Sequence, residues 1–162
     1  MQGQSIPEEK DLRVDLPVKA FVPPGWVAQE GLRLDLYRRI ATAGDHEILA
    51  RVREETVDRY GQLPPEVETL FAVASLRVLC RRLGVEEVST YKAQVRVKPV
   101  SLPGSLEVDL ATRVPNAAYH RATSTLNLEP DRVAAAELPG WVERALVAAT
   151  GGNPASLLAS PA

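Results

Sequence analysis

Two carboxylates in the segment EETVDRYGQLPP, residues 54–65, have a spacing that acid–base chemistry can use. Glu55 and Asp58 are separated by three positions, so they share one face if the segment is helical. Such a pair can act as general acid and base where a cleft removes one of the two groups from water. Arg51 and Arg59 stand four positions on either side of Glu55, where they can neutralise it on an exposed helix. The segment is therefore open to three interpretations: a solvated face of ion pairs, a protein-binding patch or a catalytic site.

The cysteine and the histidines of the chain do not have the spacing of a known catalytic or metal site. Cys80 is the only cysteine, which excludes an internal disulfide and a zinc site with several cysteines. Its position within an apolar helical pattern indicates a core thiol. His46 is predicted to be an exposed residue in the first turn of a helix, and His120 falls in a hairpin-like segment far along the chain. We therefore expect no catalytic residue, no cofactor site and no metal site.

Composition and charge further restrict the classes of partner. The 162 residues carry 19 Lys+Arg against 21 Asp+Glu, and this net charge of −2 weighs against DNA or RNA as the main partner. Neither a GxxxxGK(S/T) phosphate loop nor a GxGxxG motif is present. The polar first residues do not resemble a signal peptide, and no apolar run approaches the roughly 18–20 residues that span a bilayer. These features and the single cysteine predict a cytoplasmic protein without membrane contact.

The elements that would position the charged segment follow from the periodicity of the first half of the chain. Residues 12–22 alternate between apolar and polar side chains, which predicts a half-buried strand or extended arm. Pro17 favours a position at the edge of a sheet, and Asp45 can cap a helix by accepting a backbone N–H. Three helices are predicted after the arm, at residues 30–43, 46–60 and 64–83. The third is expected to be the central, most buried helix, because its apolar residues cover more than one face.

The second half of the chain switches to the period of two that is typical of strands. Residues 85–100 read as two short strands, and the segment AAYHRATSTLNL resembles a β-hairpin or a bent strand. Residues 106–110 also alternate, but this segment is short enough to be a helical turn or two instead. The segment LPGWVERALVAATG has the apolar stripe of a helix, formed by Val142, Ala145, Leu146 and Ala149.

Together these elements predict an α+β fold. It would consist of an N-terminal strand, a three-helix segment, a small, mostly antiparallel sheet and a C-terminal helix. Residues 11–151 are predicted to form a single domain between a flexible leader at residues 1–10 and a disordered tail at residues 152–162.

The first half of the chain carries three motifs in a specific order: RLDLYRRIA, EETVDRYGQLP and ASLRVLC. The segment VDLPVKAFVPPGWV precedes them and has the form of a strand that runs into a proline-rich turn. Over residues 12–84 this arrangement resembles the C-terminal domain of the bacterial transcription-repair coupling factors, and residues 85–150 match that domain in outline. One departure is Thr56, where the family often has leucine.

The resemblance implies a regulatory domain without an enzymatic activity or a cofactor of its own. The full-length proteins of this family are ATP-driven translocases on double-stranded DNA that push RNA polymerase off a lesion and recruit UvrA. Their motor domains have no counterpart in this chain. Their C-terminal domain packs on a UvrB-like domain of the same protein and masks the UvrA-binding surface until the protein engages polymerase. By motif position, the resemblance assigns Glu55, Asp58 and Arg59 to this partner-binding face.

Two other classes of function remain open from the sequence. A free-standing enzyme would have to use polar residues that have no recognisable catalytic spacing: Tyr91, Lys92, His120 and Arg121. An accessory domain that binds nucleic acid or polymerase would use a basic patch, for which the candidates are Arg77, Arg81, Arg82, Arg96 and Lys98. The net charge of −2 weighs against direct contact with DNA.

Overall fold

The computed structural model describes residues 12–151, in which helices and strands follow one another in the predicted order. The strands are β1 (Arg13–Asp15), β2 (Glu87–Tyr91), β3 (Gln94–Lys98), β4 (Ala118–His120) and β5 (Thr125–Leu128). The helices are α1 (Glu30–Ala41), α2 (His46–Tyr60), α3 (Pro65–Leu83), α4 (Gly104–Val108), α5 (Leu110–Arg113) and α6 (Leu138–Ala149). Short 3₁₀ turns lie at Arg121–Thr123 and Ala135–Glu137. The predicted leader at residues 1–10 and the predicted tail at residues 152–162 lie outside the described residues.

The five strands form one mixed sheet with the order β1-β2-β3-β5-β4. β1 runs parallel to β2, and every other neighbouring pair is antiparallel. The register places Val88 opposite Val97 and Val97 opposite Leu126, so that fully buried side chains line up on the face that packs against the helices. The α+β class and the mostly antiparallel sheet predicted from the sequence are thereby confirmed. The N-terminal arm and residues 87–128 also prove to share a single sheet.

The N-terminal arm keeps the predicted alternation, although only its first residues join the sheet. Leu12 and Val22 are buried at its two ends, and burial alternates at every position between them. β1 lies at the edge of the sheet, and its ladder stops at Asp15, shortly before Pro17, which has no N–H to donate. Farther along, the N–H of Val22 donates to Tyr37 Oη at 2.7 Å. The second half of the arm is therefore held by α1 and not by a neighbouring strand.

The three helices predicted in the first half of the chain agree with α1, α2 and α3 to within two residues at each end. Asp45 caps α2 as predicted, since its Oδ1 accepts the N–H of Ile48 at 2.8 Å. α3 ends at Gly84, whose φ of 80° and ψ of 15° are left-handed values that suit glycine. Residues 106–110 are helical turns and not a strand, because they belong to the short helices α4 and α5.

α3 is the central helix, as its apolar pattern predicted, because it takes part in both hydrophobic clusters of the described residues. Its first half, with Val67 and Phe71, packs with α1 and α2 in what we call the helical cluster. Its second half, with Leu76 and Leu79, packs with the sheet and α6 in what we call the sheet cluster. The predicted stripe of α6 is buried in the sheet cluster: Val142, Ala145, Leu146 and Ala149.

Gly61, which ends α2, has a backbone conformation that glycine alone adopts without strain. Its φ of 89° and ψ of −158° are disfavoured by a β-carbon, although open space surrounds the position where that carbon would stand. We expect Gly61→Ala to lower the free energy of unfolding by about 1–3 kcal/mol, as measured by urea denaturation. Gly31→Ala is the control: Gly31 lies inside α1 with open space around it, so alanine should raise stability by up to about 1 kcal/mol. Equal effects of the two substitutions would contradict backbone strain at Gly61.

Candidate functional site

One side of α2 is anchored in the helical cluster, and the other side carries charge. Leu49, Val52 and Thr56 are buried along the inner side, and the Thr56 hydroxyl donates to the carbonyl oxygen of Val52 at 2.7 Å. The hydroxyl of Thr56 is therefore satisfied within the helix. The outer side exposes Glu47, Arg51, Glu54, Glu55, Asp58 and Arg59. The predicted face thus stands on a helix whose position is fixed by packing.

Glu55 is ion-paired with a residue of a different helix. Arg39 of α1 donates through Nη2 to Glu55 Oε1. Among the described residues, neither Arg51 nor Arg59 pairs with Glu55, so the pairing expected from their spacing is wrong. The pair joins α1 to α2 beside a groove of about 300 Å³ that Arg39, Arg51 and Glu55 border. More than half of the Glu55 side chain is exposed, so the pair contributes no more than about 1 kcal/mol.

Asp58 and Arg59 present their charges to solvent. Within residues 12–151, no cationic side chain forms an ion pair with Asp58, and no carboxylate forms one with Arg59. The Arg59 guanidinium lies 5.5 Å from the centre of the Tyr60 ring, and that ring packs obliquely on Trp26 with the ring centres 5.3 Å apart. Glu55, Asp58 and Arg59 are therefore exposed together near the end of α2, and we call them the charged α2 face. Their role in partner binding stays a prediction.

His46 does not have the plain solvent-facing position predicted for it. It lies in the first turn of α2, but its Nε2 is 3.1 Å from both the carbonyl oxygen of Ser75 and Glu143 Oε2. The Ser75 hydroxyl donates to the same carboxylate at 2.8 Å. A nucleophilic triad needs the serine hydroxyl to donate to the histidine ring, whereas this hydroxyl is directed to Glu143. The cluster therefore ties α2 to α3 and α6 without activating a nucleophile, and no local sequence signal could have revealed it.

The residues considered for a free-standing enzyme are not brought together into one site. Arg121 is occupied by an ion pair with Glu107 and by the carbonyl oxygen of Leu102 at 3.2 Å. Lys92, in the turn between β2 and β3, lies 5.4 Å from the centre of the Tyr91 ring. Arg121 and Lys92 therefore each have a structural contact of their own.

The basic residues considered for a nucleic-acid surface fall on different parts of the molecule. Arg77 and Arg81 border a groove between α1 and α3. Arg96 and Lys98 alternate along β3 with buried valines, so they project from the sheet face opposite the core. The proposed basic residues therefore do not form one continuous patch.

The described part of the chain offers neither a metal centre nor a membrane span. Within residues 12–151, no three side chains of His, Cys, Asp or Glu are grouped so that they could hold a metal ion. None of the helices in this range combines the length and the apolar character that crossing a bilayer requires.

Cys80 is buried in the sheet cluster, and burial raises the pKa of its thiol to about 12. A protonated thiol is a poor nucleophile, so we expect an aromatic disulfide reagent at pH 8 to label folded protein at least about a hundredfold more slowly than protein in concentrated urea. The unfolded thiol ionises around its ordinary value of 9.0 while the folded thiol stays protonated. Its contribution to stability is therefore intact below pH 9 and declines from there to about pH 12. Rapid labelling without urea would contradict the buried position.

Comparison with known proteins decides the family. A family model described as the TRCF domain matches residues 16–103, which is more than half of the chain. The chain belongs to the TRCF domain family. The match spans α1, α2, α3, β2 and β3, and it extends past the region over which the motifs resemble the coupling factors most closely.

The relatives of this TRCF domain are whole transcription-repair coupling factors. The proteins of that name from Mycobacterium bovis and Mycobacterium tuberculosis are each 43% identical over 130 residues, which cover 78% of this chain and 10% of the relative. The Bacillus subtilis protein of the same name is 30% identical over 102 residues, covering 63% of this chain and 9% of the relative. The chain therefore spans about a tenth of the length of the curated relatives it matches.

A solved structure shows the same fold. The crystal structure of the C-terminal domain of a transcription-repair coupling factor superposes with a TM-score of 0.72 over 92% of both chains, at 13% sequence identity. The α+β arrangement of this TRCF domain is thus that of the coupling factors' C-terminal domain, as its three motifs predicted.

Proposed function

We propose that this TRCF domain is a regulatory docking domain of a transcription-repair coupling factor. In this proposal it packs through the charged α2 face on a UvrB-like domain of the same protein and masks the surface that UvrA binds until polymerase is engaged. The whole protein would be an ATP-dependent translocase on double-stranded DNA in the cytoplasm, and UvrA and RNA polymerase would be indirect partners. The observation that carries the proposal is that a TRCF domain exposes Glu55, Asp58 and Arg59 together on one helix end.

The way α2 is held supports a docking role. Its start is capped by Asp45, its inner side is packed in the helical cluster, and its end is set by Gly61. The ion pair from Arg39 further restricts the orientation of Glu55. A face that is ordered before binding loses less conformational entropy when a partner arrives, so more of the contact energy appears as affinity.

The chemistry of the face suits an interface that can be released. Exposed charge pairs contribute roughly 0–1 kcal/mol each, and charges at interfaces act more on specificity and association rate than on affinity. Two domains of one polypeptide meet at a high effective concentration, so weak contacts suffice to hold them. A difference of a few kcal/mol between masked and unmasked states is then enough to open the interface.

The test is binding of this chain to the UvrB-like region of its parent protein, supplied as a separate polypeptide and measured by titration calorimetry. We expect Glu55→Ala/Asp58→Ala to weaken binding by about tenfold, the effect of losing two exposed charge pairs. Glu129→Ala/Asp131→Ala removes the same charge from exposed residues that form no described ion pair, and it should leave the affinity unchanged.

The thermal unfolding transition of each variant separates docking from folding. Both double variants should keep a cooperative transition, because all four side chains are exposed. Loss of the transition in the Glu55/Asp58 variant would show that the charged α2 face is structural. Equal affinities of the two double variants would show that docking, if it occurs, uses another surface.

A second candidate function has one observation in its favour. On the sheet face opposite the core, Arg96, Lys98 and His120 border a groove of about 510 Å³ that has no carboxylate among its lining residues. An accessory domain that contacts nucleic acid or polymerase would use such a cationic groove. Binding of duplex DNA that falls steeply with salt, and that Arg96→Gln/Lys98→Gln weakens, would favour this function. No binding at low salt would exclude DNA and leave polymerase as the partner to test.

A further inference from the structure

A second groove, separate from the charged α2 face, lies between α1 and α3. Its volume is about 210 Å³, which is smaller than the roughly 300–1,000 Å³ of a typical small-molecule pocket and closer to the size of one or two side chains. Its walls are almost wholly apolar and are formed by Tyr37, Ile40, Ala41, Leu70, Val73 and Ala74. The α1 residues that border this groove are different from Arg39, the α1 residue that pairs with Glu55 beside the other groove.

Two arginines border this apolar groove. Arg77 and Arg81 stand one turn apart on α3 and so share a face of the helix. Within residues 12–151, neither forms an ion pair with a carboxylate. Arg77 donates only to the carbonyl oxygen of Leu12, at 3.3 Å, and the buried Nε of Arg81 has no hydrogen-bond partner in the same range.

These arginines differ from ordinary solvated surface charges. Burial lowers the pKa of Arg77, and the neighbouring positive charge of Arg81 lowers it further. A buried donor without an acceptor costs free energy, and two like charges at adjacent turns of one helix repel each other. An anion placed between the two guanidinium groups would relieve their mutual repulsion. A carboxylate is suited to this, because it accepts two parallel N–H bonds from a guanidinium.

We propose that the α1–α3 groove binds an acidic, apolar peptide segment of a partner protein. One carboxylate of the segment accepts hydrogen bonds from Arg77 and Arg81, and an adjacent aliphatic or aromatic side chain packs against Tyr37, Leu70 and Val73. The apolar walls favour such a segment over a phosphate group or a nucleic-acid backbone, which would need more donors than the two arginines supply beside these walls. The site is independent of the charged α2 face, so its failure would leave the proposed masking role untouched.

The test uses the full chain and two small peptides that differ in one group. N-acetyl-Phe-Glu-amide carries the apolar side chain and the carboxylate, and N-acetyl-Phe-Gln-amide replaces the carboxylate with an amide of the same shape. We expect the Glu peptide to shift the NMR methyl signals of Ile40, Leu70 and Val73, and to bind at least about fivefold more tightly than the Gln peptide. Equal affinities, or shifts confined to other surfaces, would overturn the proposal.

Variants of the arginines test whether the preference for the Glu peptide arises in this groove. Arg81→Gln should remove most of the preference for the Glu peptide, and Arg77→Gln should do the same if the protein stays folded. Arg82→Gln is the matched control, because Arg82 is an exposed arginine on the same helix that does not border the groove. A preference that survives Arg81→Gln, or that Arg82→Gln removes equally, would overturn the assignment.

Two other possible occupants of the α1–α3 groove would give different results in this experiment. The acidic residues that precede Leu12 in sequence are Glu8, Glu9 and Asp11. If the Glu peptide binds only after these three are neutralised to Gln, Gln and Asn, the groove belongs to the chain's own N-terminal segment and the proposal is wrong. If the same methyl signals shift with protein concentration alone, the occupant is a second copy of the chain, and the proposal is wrong in that case too.

Discussion

Replacing Leu76 with alanine is expected to lower the free energy of unfolding by about 3–5 kcal/mol. The Leu76 side chain is 0% exposed and lies in the sheet cluster, where α3 packs with the sheet and α6. Alanine removes apolar contacts and leaves a cavity, and the neighbouring strands cannot fill it without disturbing their hydrogen-bonded ladder. Urea denaturation followed by circular dichroism measures the change.

Two companion substitutions make the Leu76 result specific. Leu34→Ala is the same chemical change on the exposed side of α1, where 53% of the residue is accessible, and it should alter stability by less than about 1 kcal/mol. Leu76→Met keeps the volume and should cost less than about 1.5 kcal/mol. A cost of Leu76→Ala as small as that of Leu34→Ala would show that the sheet cluster is not packed as described.

Arg113→Met is expected to lower the free energy of unfolding by about 2–3 kcal/mol, because it removes a guanidinium that joins three helices. Arg113 ends α5, and its Nε donates to the carbonyl oxygen of Ala148 at 2.8 Å. Its Nη2 donates to the carbonyl oxygens of Ala149 at 3.0 Å and Leu106 at 2.6 Å. Methionine fills similar space but leaves these part-buried acceptors, two of them at the end of α6, without the arginine, and it removes a favourable charge from that helix end.

Arg144→Met is the matched control for Arg113. Arg144 is exposed on α6 and takes part in none of the described hydrogen bonds or ion pairs, so methionine should change stability by less than about 0.5 kcal/mol. Arg113→Lys should fall between the two, because lysine keeps the charge but cannot reproduce the fork of donors. A stability of Arg113→Lys equal to that of the unsubstituted protein would show that the fork of donors at this position does not matter.

Local rules predicted the parts of this fold that depend on neighbours in sequence. The alternation of residues 12–22 predicted their burial, and Asp45 and the following apolar residues predicted where α2 begins. The length of β1 was not predictable, because it depends on where β2 offers a parallel partner across the fold. The sequence left open whether residues 106–110 form a strand or the helical turns of α4 and α5. A few alternating residues fit the period of a strand and the period of a helix equally well.

In the candidate site too, local sequence rules predict some features, and others depend on distant parts of the fold. The exposure of Asp58 and Arg59 follows from helical periodicity, because both lie away from the buried side of α2. The partner of Glu55 did not follow from spacing, since Arg39 reaches it from another helix. His46 and Glu143 are still farther apart in sequence, and their contact depends on how α6 crosses the helices. Local spacing therefore predicts which charges are exposed but not which charges meet.

The sharing of α3 between the two clusters determines how the domain can open. In terms of native-state amide exchange, we expect α1 and α2 to lose their protection through an opening that leaves the sheet cluster assembled. The amides in the second half of α3 are released only by unfolding of the sheet cluster itself. A partner on the charged α2 face would therefore slow exchange selectively in the helical half, while the exchange of β2 and β3 reports the stability of the whole domain.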